Sequence, residues 1–405
     1  MAVNLPPLPE LYPVPGIRLG TSRAQIRKQD RRDLVVIECA PGTQAAALFT
    51  QNRFCAAPVT VARGHLAKAA PRALLINTGF ANAGTGPAGL DDAQRSCAAL
   101  AADLGCAPSE VLPFSTGVIG ERMPVERLVA GLPGCLSAMS DSGWAEAAHG
   151  IMTTDTLPKG SSRRVAIEGK TITVTGIAKG AGMICPNMAT LLAFIATDAS
   201  VTPVVLQRCL GAAADESFNR ISVDGDTSTN DSCVLLATGK SGLEIRVAEG
   251  AAYEAFYDTV REVLADLAQA IVRDAEGATK FITIDVVQGA SQADCLEVAY
   301  TIAHSPLVKT AFFASDPNWG RILAAVGRAR IPQLQVDRVS IHLDDVCIVR
   351  NGGRAPEYSE AQGQAVMAKS EICVRVDLGA GAANARLWTC DLSHDYVTIN
   401  AEYRT

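Results

Sequence analysis

Hydrophobic residues along the chain recur in two patterns, one typical of strands and one typical of helices. Short apolar runs bounded by turn residues predict strands, and apolar residues at helical spacing predict a long helix over 253–274. The predicted strands are 34–38, 73–76, 171–177, 191–195, 233–237 and 281–287. The apolar face of the helix carries Phe256, Val260, Val263, Leu264, Leu267 and Ile271.

The order of these elements predicts the fold class. Strands outnumber those of a regular alternation of strands and helices, and glycine-rich turns are frequent. We therefore expect an α+β fold in which helices cover layered sheets, rather than a doubly wound parallel sheet.

Composition narrows the class of protein. The chain has 405 residues, of which 48% are hydrophobic and 19% charged, a balance typical of folded globular proteins. Its net charge is −6 and it has no block of Lys and Arg, so nucleic acid is not an expected partner. The basic residues Arg27, Lys28, Arg31 and Arg32 are interpreted as a solvated loop.

The remaining bulk features concern location. The N-terminal segment lacks the basic and apolar regions of a secretory signal, and no apolar run approaches the ~20 residues of a membrane span. Twelve cysteines occur singly, without the spacing of a metal site or a redox pair. We expect a cytoplasmic protein without a membrane partner or a bound metal.

Common catalytic motifs fit poorly. None of the five histidines lies in a G-x-S-x-G or H-E-x-x-H motif. The glycine-rich run 77–86 lacks the Lys of a phosphate loop, which leaves a strand-to-helix turn or a site lining. The acidic run 224–231 lacks the Gly and Glu of a calcium loop, so a hydrogen-bonded turn is expected. Residues 350–355 match a coenzyme A loop, R-x-x-G-x-A, but so short a match is attributed to chance.

Residues 171–200 suggest a different nucleophile. A strand enters a bend rich in Gly, Pro and Asn, and a buried strand is predicted from Leu191. A threonine hydroxyl is weak without a base. If the bond between Ala189 and Thr190 is cut, Thr190 gains an α-amine of pKa about 7.7–8.0, suited to act as a base near neutral pH. The hydroxyl can make the cut itself by attacking the Ala189 carbonyl carbon, after which water releases the ester.

Such reactions need donors for a negatively charged oxygen. The run 113–120 is a candidate, because Thr116 offers a hydroxyl and Gly117 an unobstructed N–H. One such donor is worth about 10²–10³ in rate. Composition alone leaves these assignments open.

Residues 179–199, KGAGMICPNMATLLAFIATDA, resemble the cleavage-site signature of the ornithine acetyltransferase family, the bifunctional glutamate N-acetyltransferase and amino-acid acetyltransferase enzymes. The resemblance extends through ordered blocks along the whole chain, which makes it specific. These blocks are FTQNRFCAAPV (49–59), NTGFANAGTG (77–86), PFSTGVIG (113–120), IMTTDTLPK (151–159), SVDGDTSTNDS (222–232), AEGATKFI (275–282), SDPNWGRI (315–322) and YVTINAEYRT (396–405).

The resemblance implies a fold like that of the ornithine acetyltransferases and the DmpA-like, N-terminal-nucleophile-hydrolase-like enzymes. It implies self-cleavage between Ala189 and Thr190 into an α chain (1–189) and a β chain (190–405), with two copies of each in the assembly. Thr190 would then carry an acetyl group from N-acetylornithine to glutamate in ping-pong order, without a cofactor. Whether acetyl-coenzyme A is also a donor stays open.

The same resemblance implies the site residues. Thr116 and Gly117 correspond to the oxyanion hole. Lys179 offers a cation to a substrate carboxylate, and Glu276 offers a carboxylate to the ornithine ammonium. A tail ending in the strand-like run 396–399 is expected to dock at the site. The implied substrate contacts are Thr153, Lys179, Thr190, Glu276, Asn400 and Thr405.

Two positions and two rival functions complete the prediction. Phe80 stands where the family usually has Asn, so no contact is predicted there, and Cys185 is treated as structural. The main rival is an N-terminal-nucleophile aminopeptidase or amidase of similar fold, in which water takes the acyl group. The other is a binding protein on the same scaffold.

Overall fold

The computed structural model describes residues 2–27, 30–185 and 191–402. The strands are β1 (Ile17–Ser22), β2 (Leu34–Cys39), β3 (Gln44–Phe49), β4 (Ala73–Phe80), β5 (Val111–Val118), β6 (Lys159–Ile167), β7 (Lys170–Lys179), β8 (Leu192–Thr197), β9 (Ser200–Val201), β10 (Ile221–Ser222), β11 (Ser232–Ala237), β12 (Glu244–Ile245), β13 (Phe281–Gly289), β14 (Ser340–Leu343), β15 (Val346–Arg350), β16 (Gly353–Arg354), β17 (Glu371–Asp377) and β18 (Ala383–Cys390). The helices are α1 (Ala57–Leu66), α2 (Gly86–Leu104), α3 (Val125–Ser137), α4 (Trp144–Gly150), α5 (Pro203–Asp215), α6 (Ala251–Arg273), α7 (Gln292–Ala303), α8 (Pro306–Phe313), α9 (Trp319–Gly327), α10 (Glu360–Met367) and α11 (His394–Ala401).

The predicted α+β class is confirmed. All six predicted strands are present as β2, β4, β7, β8, β11 and β13, mostly with longer ends. The predicted long helix is α6, and the apolar face predicted for it is buried. Along the described chain, no helix combines the length and hydropathy needed to cross a bilayer.

The chain forms two compact units. The larger unit contains residues 6–219 and 226–271, and the smaller unit contains the short segments 1–5 and 220–225 together with 272–405. The described residues on both sides of the predicted cut, Cys185 and Leu191, belong to the larger unit.

Two facing sheets form the centre of the larger unit. One has the order β1-β2-β4-β5 and the other β3-β11-β8-β7-β6. Their inner faces share one core, in which Phe114 of β5 meets Phe194 of β8 edge to face at 5.1 Å. Helices α2 and α3 cover the outer face of the first sheet. On the second, α6 packs so closely that a Cβ on Gly176 would lie 3.2 Å from Leu267. This arrangement matches the predicted layers.

The smaller unit has a mixed sheet of its own, in the order β10-β18-β13-β17-β14-β15-β16. Helices α7, α8 and α9 contribute Val298, Phe312 and Val326 to one core with this sheet. This core is separate from that of the larger unit, as expected for a chain of this length.

The strand-like interpretation of residues 396–399 is wrong, because they lie in helix α11. Ser393 precedes the helix in an extended conformation, and its hydroxyl oxygen accepts the Tyr396 N–H at 3.4 Å. This N-cap satisfies a backbone donor that the helix leaves free. The β-branched residues of the run favour strands only weakly, so the cap decides the local structure.

Candidate active site

The predicted site residues are distributed over both units and two segments that the structure does not describe. Ala189, Thr190 and Thr405 lie outside the described residues. Thr116, Gly117, Thr153 and Lys179 belong to the larger unit, and Glu276 and Asn400 to the smaller unit.

Thr116 and Gly117 lie near the C-terminal end of β5, beside the parallel strand β4. Gly117 has a φ angle of 132°, and a Cβ there would lie 2.3 Å from the Gly79 carbonyl carbon. Both facts exclude a side chain at this position. The Gly117 backbone is half-buried and packs directly against Gly79, beside the buried Thr116.

The glycine-rich run 77–86 forms the strand-to-helix turn that was one of its two interpretations. It forms the turn from β4 to α2, where the Asn82 side-chain amide donates to the Gly89 carbonyl at 2.9 Å. Its Gly79 also packs directly against Gly117. The run thus shapes the backbone on which the candidate oxyanion site depends.

Lys179 and Thr153, both implied as substrate contacts, lie in contact with each other. Lys179 is the last residue of β7 and is only 6% exposed. Its ammonium group donates to the Thr153 hydroxyl at 3.4 Å. A buried cation beside a hydroxyl can recognise a carboxylate through charge-assisted hydrogen bonds.

A buried ion pair that the sequence did not reveal holds these two residues. The Asp155 carboxylate accepts from Lys159 Nζ at 2.6 Å and from the Gly180 N–H at 2.8 Å with one oxygen, and from the Thr153 N–H at 2.9 Å with the other. Both charged side chains are fully buried. The hydrogen bonds of Asp155 to the Thr153 and Gly180 N–H groups therefore connect the loop that contains Thr153 to the end of β7, where Lys179 lies.

The charge state of Asp155 follows from these contacts. Burial would raise its pKa, but the positive charges of Lys159 and then Lys179, with the hydrogen bonds, hold the pKa well below its usual range. Asp155 is thus ionised at neutral pH. A signal was present, since Asp155 and Lys159 both lie in the block IMTTDTLPK, but its letters do not show that the two side chains meet in the interior.

The basic loop near residue 30 is not only solvated, so that interpretation needs correction. Arg31 is half-buried and donates to the Thr153 carbonyl at 3.1 Å and to that of Met152. Arg27 pairs with Glu121 at 2.7 Å and lies over the Phe80 ring at 5.2 Å.

The other two basic residues of this loop are Arg32 and Lys28. Arg32 is exposed, as predicted, and Lys28 lies outside the described residues. Arg31 is therefore the part of the loop that supports Thr153, because it holds the carbonyl groups of that segment in place.

The run 224–231 contains the hydrogen-bonded turn that was expected. The Ser228 hydroxyl oxygen accepts the Asn230 N–H at 3.1 Å, and the Thr50 hydroxyl donates to the Ser228 carbonyl at 2.7 Å. Asp231 closes the turn, and one of its carboxyl oxygens accepts the Leu191 N–H at 3.0 Å. Burial raises the pKa of Asp231 well above its ordinary value, and the charge of Lys179 offsets this only in part.

In the smaller unit, Glu276 and Asn400, both implied as substrate contacts, contact each other. The Asn400 amide, on α11, donates to the Glu276 carboxylate at 2.9 Å and to the Tyr396 carbonyl at 3.0 Å. Glu276 is buried rather than on the surface. The capped helix α11, not a strand, therefore positions Asn400.

Residues 350–355 form a hairpin instead of a coenzyme A loop. Strands β15 and β16 pair Val349 with Arg354 and Arg350 with Gly353. The next helix, α10, begins only at Glu360. Since a pyrophosphate loop needs a helix N-terminus directly behind it, the hairpin agrees with the chance interpretation.

Comparisons with known proteins agree with the resemblance seen in the sequence. Residues 18–405 match the family described as the ArgJ family. A relative from Pseudomonas fluorescens (strain Pf0-1), named Arginine biosynthesis bifunctional protein ArgJ, is 57% identical over 406 residues, with 100% of both chains covered.

Two solved structures are also similar. That of an arginine biosynthesis bifunctional protein ArgJ from Bacillus halodurans is 36% identical with a TM-score of 0.48, over 50% of this chain and 95% of that chain. That of an ornithine acetyltransferase from Mycobacterium tuberculosis, in complex with ornithine, is 34% identical with a TM-score of 0.38, over 43% and 93% of the respective chains.

Proposed function

Because the chain belongs to the ArgJ family, we propose that it is an acetyltransferase of arginine biosynthesis that moves an acetyl group from N-acetylornithine to glutamate. The observation that carries this proposal is the family match over residues 18–405. The contact between the buried Lys179 and Thr153 supports the proposal chemically, because it places a cation and a hydroxyl where a substrate carboxylate could bind.

The proposed nucleophile is made by self-cleavage. The Thr190 hydroxyl attacks the Ala189 carbonyl carbon, the peptide bond becomes an ester, and water hydrolyses the ester. This leaves an α chain of residues 1–189 and a β chain of residues 190–405. Thr190 then carries an α-amine, whose pKa of about 7.7–8.0 suits a general base.

Transfer proceeds in two balanced steps. In the first, the Thr190 oxygen attacks the acetyl carbonyl carbon, its proton moves to the α-amine of Thr190 and then to the leaving nitrogen, and ornithine departs. In the second, the glutamate amine attacks the acetyl ester and the Thr190 oxygen regains a proton. Thr116 and Gly117 stabilise the negatively charged oxygen in both steps.

Substrate recognition uses opposite charges. Lys179 and Thr153 bind a substrate carboxylate, and Glu276 with Asn400 binds the ornithine ammonium group. Thr405 is the remaining proposed contact. The reaction needs no cofactor, because the ester itself stores the acetyl group. Acetyl-coenzyme A as a second donor would account for the word bifunctional in the relatives' names.

The assembly and location belong to the same proposal. We expect two α and two β chains, as the family resemblance implies, in the cytoplasm, as the singly spaced cysteines suggest. Light scattering on the processed enzyme measures the mass, and a mass that excludes this tetramer contradicts that part alone.

The decisive experiment follows the new N-terminus. Mass spectrometry of the purified protein should find separate α and β chains, the latter starting at Thr190, and an acetyl label on Thr190 after incubation with N-acetylornithine alone. Thr190→Ala should abolish cleavage and transfer, and Thr190→Ser should retain part of each. An unsplit chain with full activity would rule the mechanism out.

The substrate assay separates the rivals. Sustained ornithine release should depend on glutamate, because the acetyl ester on Thr190 reacts with the glutamate amine and not with water. Release without glutamate would favour the amidase function. A parallel assay with acetyl-coenzyme A and glutamate alone tests the second donor.

A further inference from the structure

Asn230 and Asp231 form a buried pair at the end of the loop before β11. They are 7% and 1% exposed. Each uses its side chain to hold backbone of another segment of the larger unit, although neither resembles a catalytic motif in sequence. What they hold suggests a role beyond closing a turn.

Asn230 holds the strand that carries the candidate oxyanion residues. Its side-chain amide donates to the Ser115 carbonyl at 2.9 Å and to the Ala81 carbonyl at 2.6 Å. The Ser115 carbonyl belongs to the same planar peptide group as the Thr116 N–H. Asn230 thereby fixes the orientation of the peptide that leads into Thr116.

Asp231 holds the chain directly after the proposed nucleophile. One carboxyl oxygen accepts the Leu191 N–H at 3.0 Å, and this N–H belongs to the peptide that joins Thr190 to Leu191. The neighbouring Ser232 N–H donates to the Leu191 carbonyl at 3.0 Å. Leu191 is therefore held on both sides of its α-carbon.

The second carboxyl oxygen of Asp231 suggests that this residue serves function rather than stability. Among the described residues, this buried oxygen has no hydrogen-bond partner. An unsatisfied buried polar atom costs about 1–3 kcal/mol, so a packed apolar residue would serve a purely structural role better. Such exceptions call for a functional explanation.

We propose that Asn230 and Asp231 are positioning residues that hold the backbone leading into Thr116 in register with Leu191, the residue that follows the proposed nucleophile. Asn230 and Asp231 are adjacent in the chain. A single peptide unit therefore connects the hydrogen bonds that Asn230 makes beside Thr116 to the hydrogen bond that Asp231 makes with Leu191. This inference rests on the proposed function. Asp231 acts through its hydrogen bond to Leu191 and not as a proton-transferring base.

The main test compares two substitutions of Asp231. Asp231→Ala removes the acceptor, so self-cleavage and kcat should fall about 10²-fold, the loss expected for a misplacement of about 1 Å. Asp231→Asn keeps an oxygen acceptor and should stay within about tenfold of the wild type. KM should change little in either variant, because neither group touches substrate. Rates are measured by gel for the precursor and by ornithine release for the processed enzyme.

Asp198 offers a matched control at the other end of β8. It is buried, its carboxylate accepts the Thr173 N–H at 2.9 Å, and burial raises its pKa as it does for Asp231. Asp198→Ala should lower the thermal midpoint while cleavage and kcat stay near wild type. An equal loss of rate in Asp198→Ala would show that destabilisation alone explains the Asp231 effect and would overturn the proposal.

Asn230 gives an independent readout. Asn230→Ala should slow cleavage in the wild-type background but add little in Thr116→Val, because its effect passes through Thr116. Full additivity, wild-type rates in Asp231→Ala, or an Asp231→Asn variant as slow as Asp231→Ala would each contradict the proposal. Should Asp231→Ala fail to fold, the Asn230 cycle and Asp231→Asn still decide. A wild-type chain that neither cleaves nor transfers would instead refute the proposed function.

Discussion

Asp155 and Asp231 are both fully buried in the larger unit and both feel the charge of Lys179, yet their pKa values shift in opposite directions. Asp155 has Lys159 at 2.6 Å and two backbone N–H donors. Asp231 accepts one backbone N–H, from Leu191. The difference shows that burial does not decide the charge of a carboxyl group; the count of close cations and donors does.

The two carboxyl groups also hold different parts of the candidate site. The ionised Asp155 binds together Thr153, Gly180 and the buried Lys159, so it contributes to the fold and to the placement of Lys179. Asp231, whose pKa burial raises, accepts a single backbone N–H, from Leu191, the residue that follows the proposed nucleophile. Stability and catalysis should therefore respond differently to the same chemical change at these two positions.

The largest difference is expected from replacing each acid by its amide. Asp155→Asn leaves the ammonium group of Lys159 buried without a counter-charge, which should lower the free energy of unfolding by about 3–5 kcal/mol. Asp231→Asn keeps an acceptor for Leu191 and, measured near pH 4, should change it by about 1 kcal/mol or less. Urea unfolding of both variants in the unsplit Thr190→Ala background measures this contrast. Equal losses would mean that Asp231 is ionised in the folded chain.

The pH dependence of stability should separate the two groups next. Asp155 has a lowered pKa, so its contribution is present above about pH 4, the value of an unfolded Asp, and is lost as the pH falls further. Asp231 has a raised pKa, so its contribution is complete below about pH 4 and is lost as the pH rises. Between pH 4 and neutrality, wild type should lose stability relative to Asp231→Asn by at most about 1.4 kcal/mol per pH unit.

Urea titrations across this range measure that slope. Asp198→Asn serves as a second reference, because burial also raises its pKa. If the free energies of unfolding of wild type and Asp231→Asn change in parallel from pH 4 to 7, then Asp231 keeps its ordinary pKa. That result would contradict the contrast with Asp155.

Much of the fold could be predicted from the sequence, because it depends on local pattern. The period of apolar residues predicted α6 and its buried face, and short apolar runs predicted strands such as β8 and β11. Residues 396–399 were predicted wrongly, since one hydroxyl, on Ser393, caps a helix there.

Candidate site residues could be named from the sequence only where they stand in recognisable blocks. Thr116, Gly117, Thr153 and Lys179 were named in this way, and in the structure Lys179 contacts Thr153. The roles of Asp155 and Asp231 could not be predicted, because the charge of a buried acid depends on groups that only folding brings near. For Asp155 these include Gly180, which lies 25 residues away along the chain.

The smallest effect is expected at Thr153, which connects Asp155 to Lys179. Thr153→Val removes the hydroxyl that accepts from Lys179 at 3.4 Å but keeps the N–H that donates to Asp155. The hydrogen bond is long, so unfolding should become easier by only about 0.5–1.5 kcal/mol, and Thr153→Ser should restore most of it. KM for N-acetylornithine should rise while kcat changes little, because the substrate carboxylate loses a hydroxyl that binds it equally in ground and transition states. A fall in kcat at constant KM would instead mean that Thr153 aligns the reacting groups, as Asp231 does through Leu191.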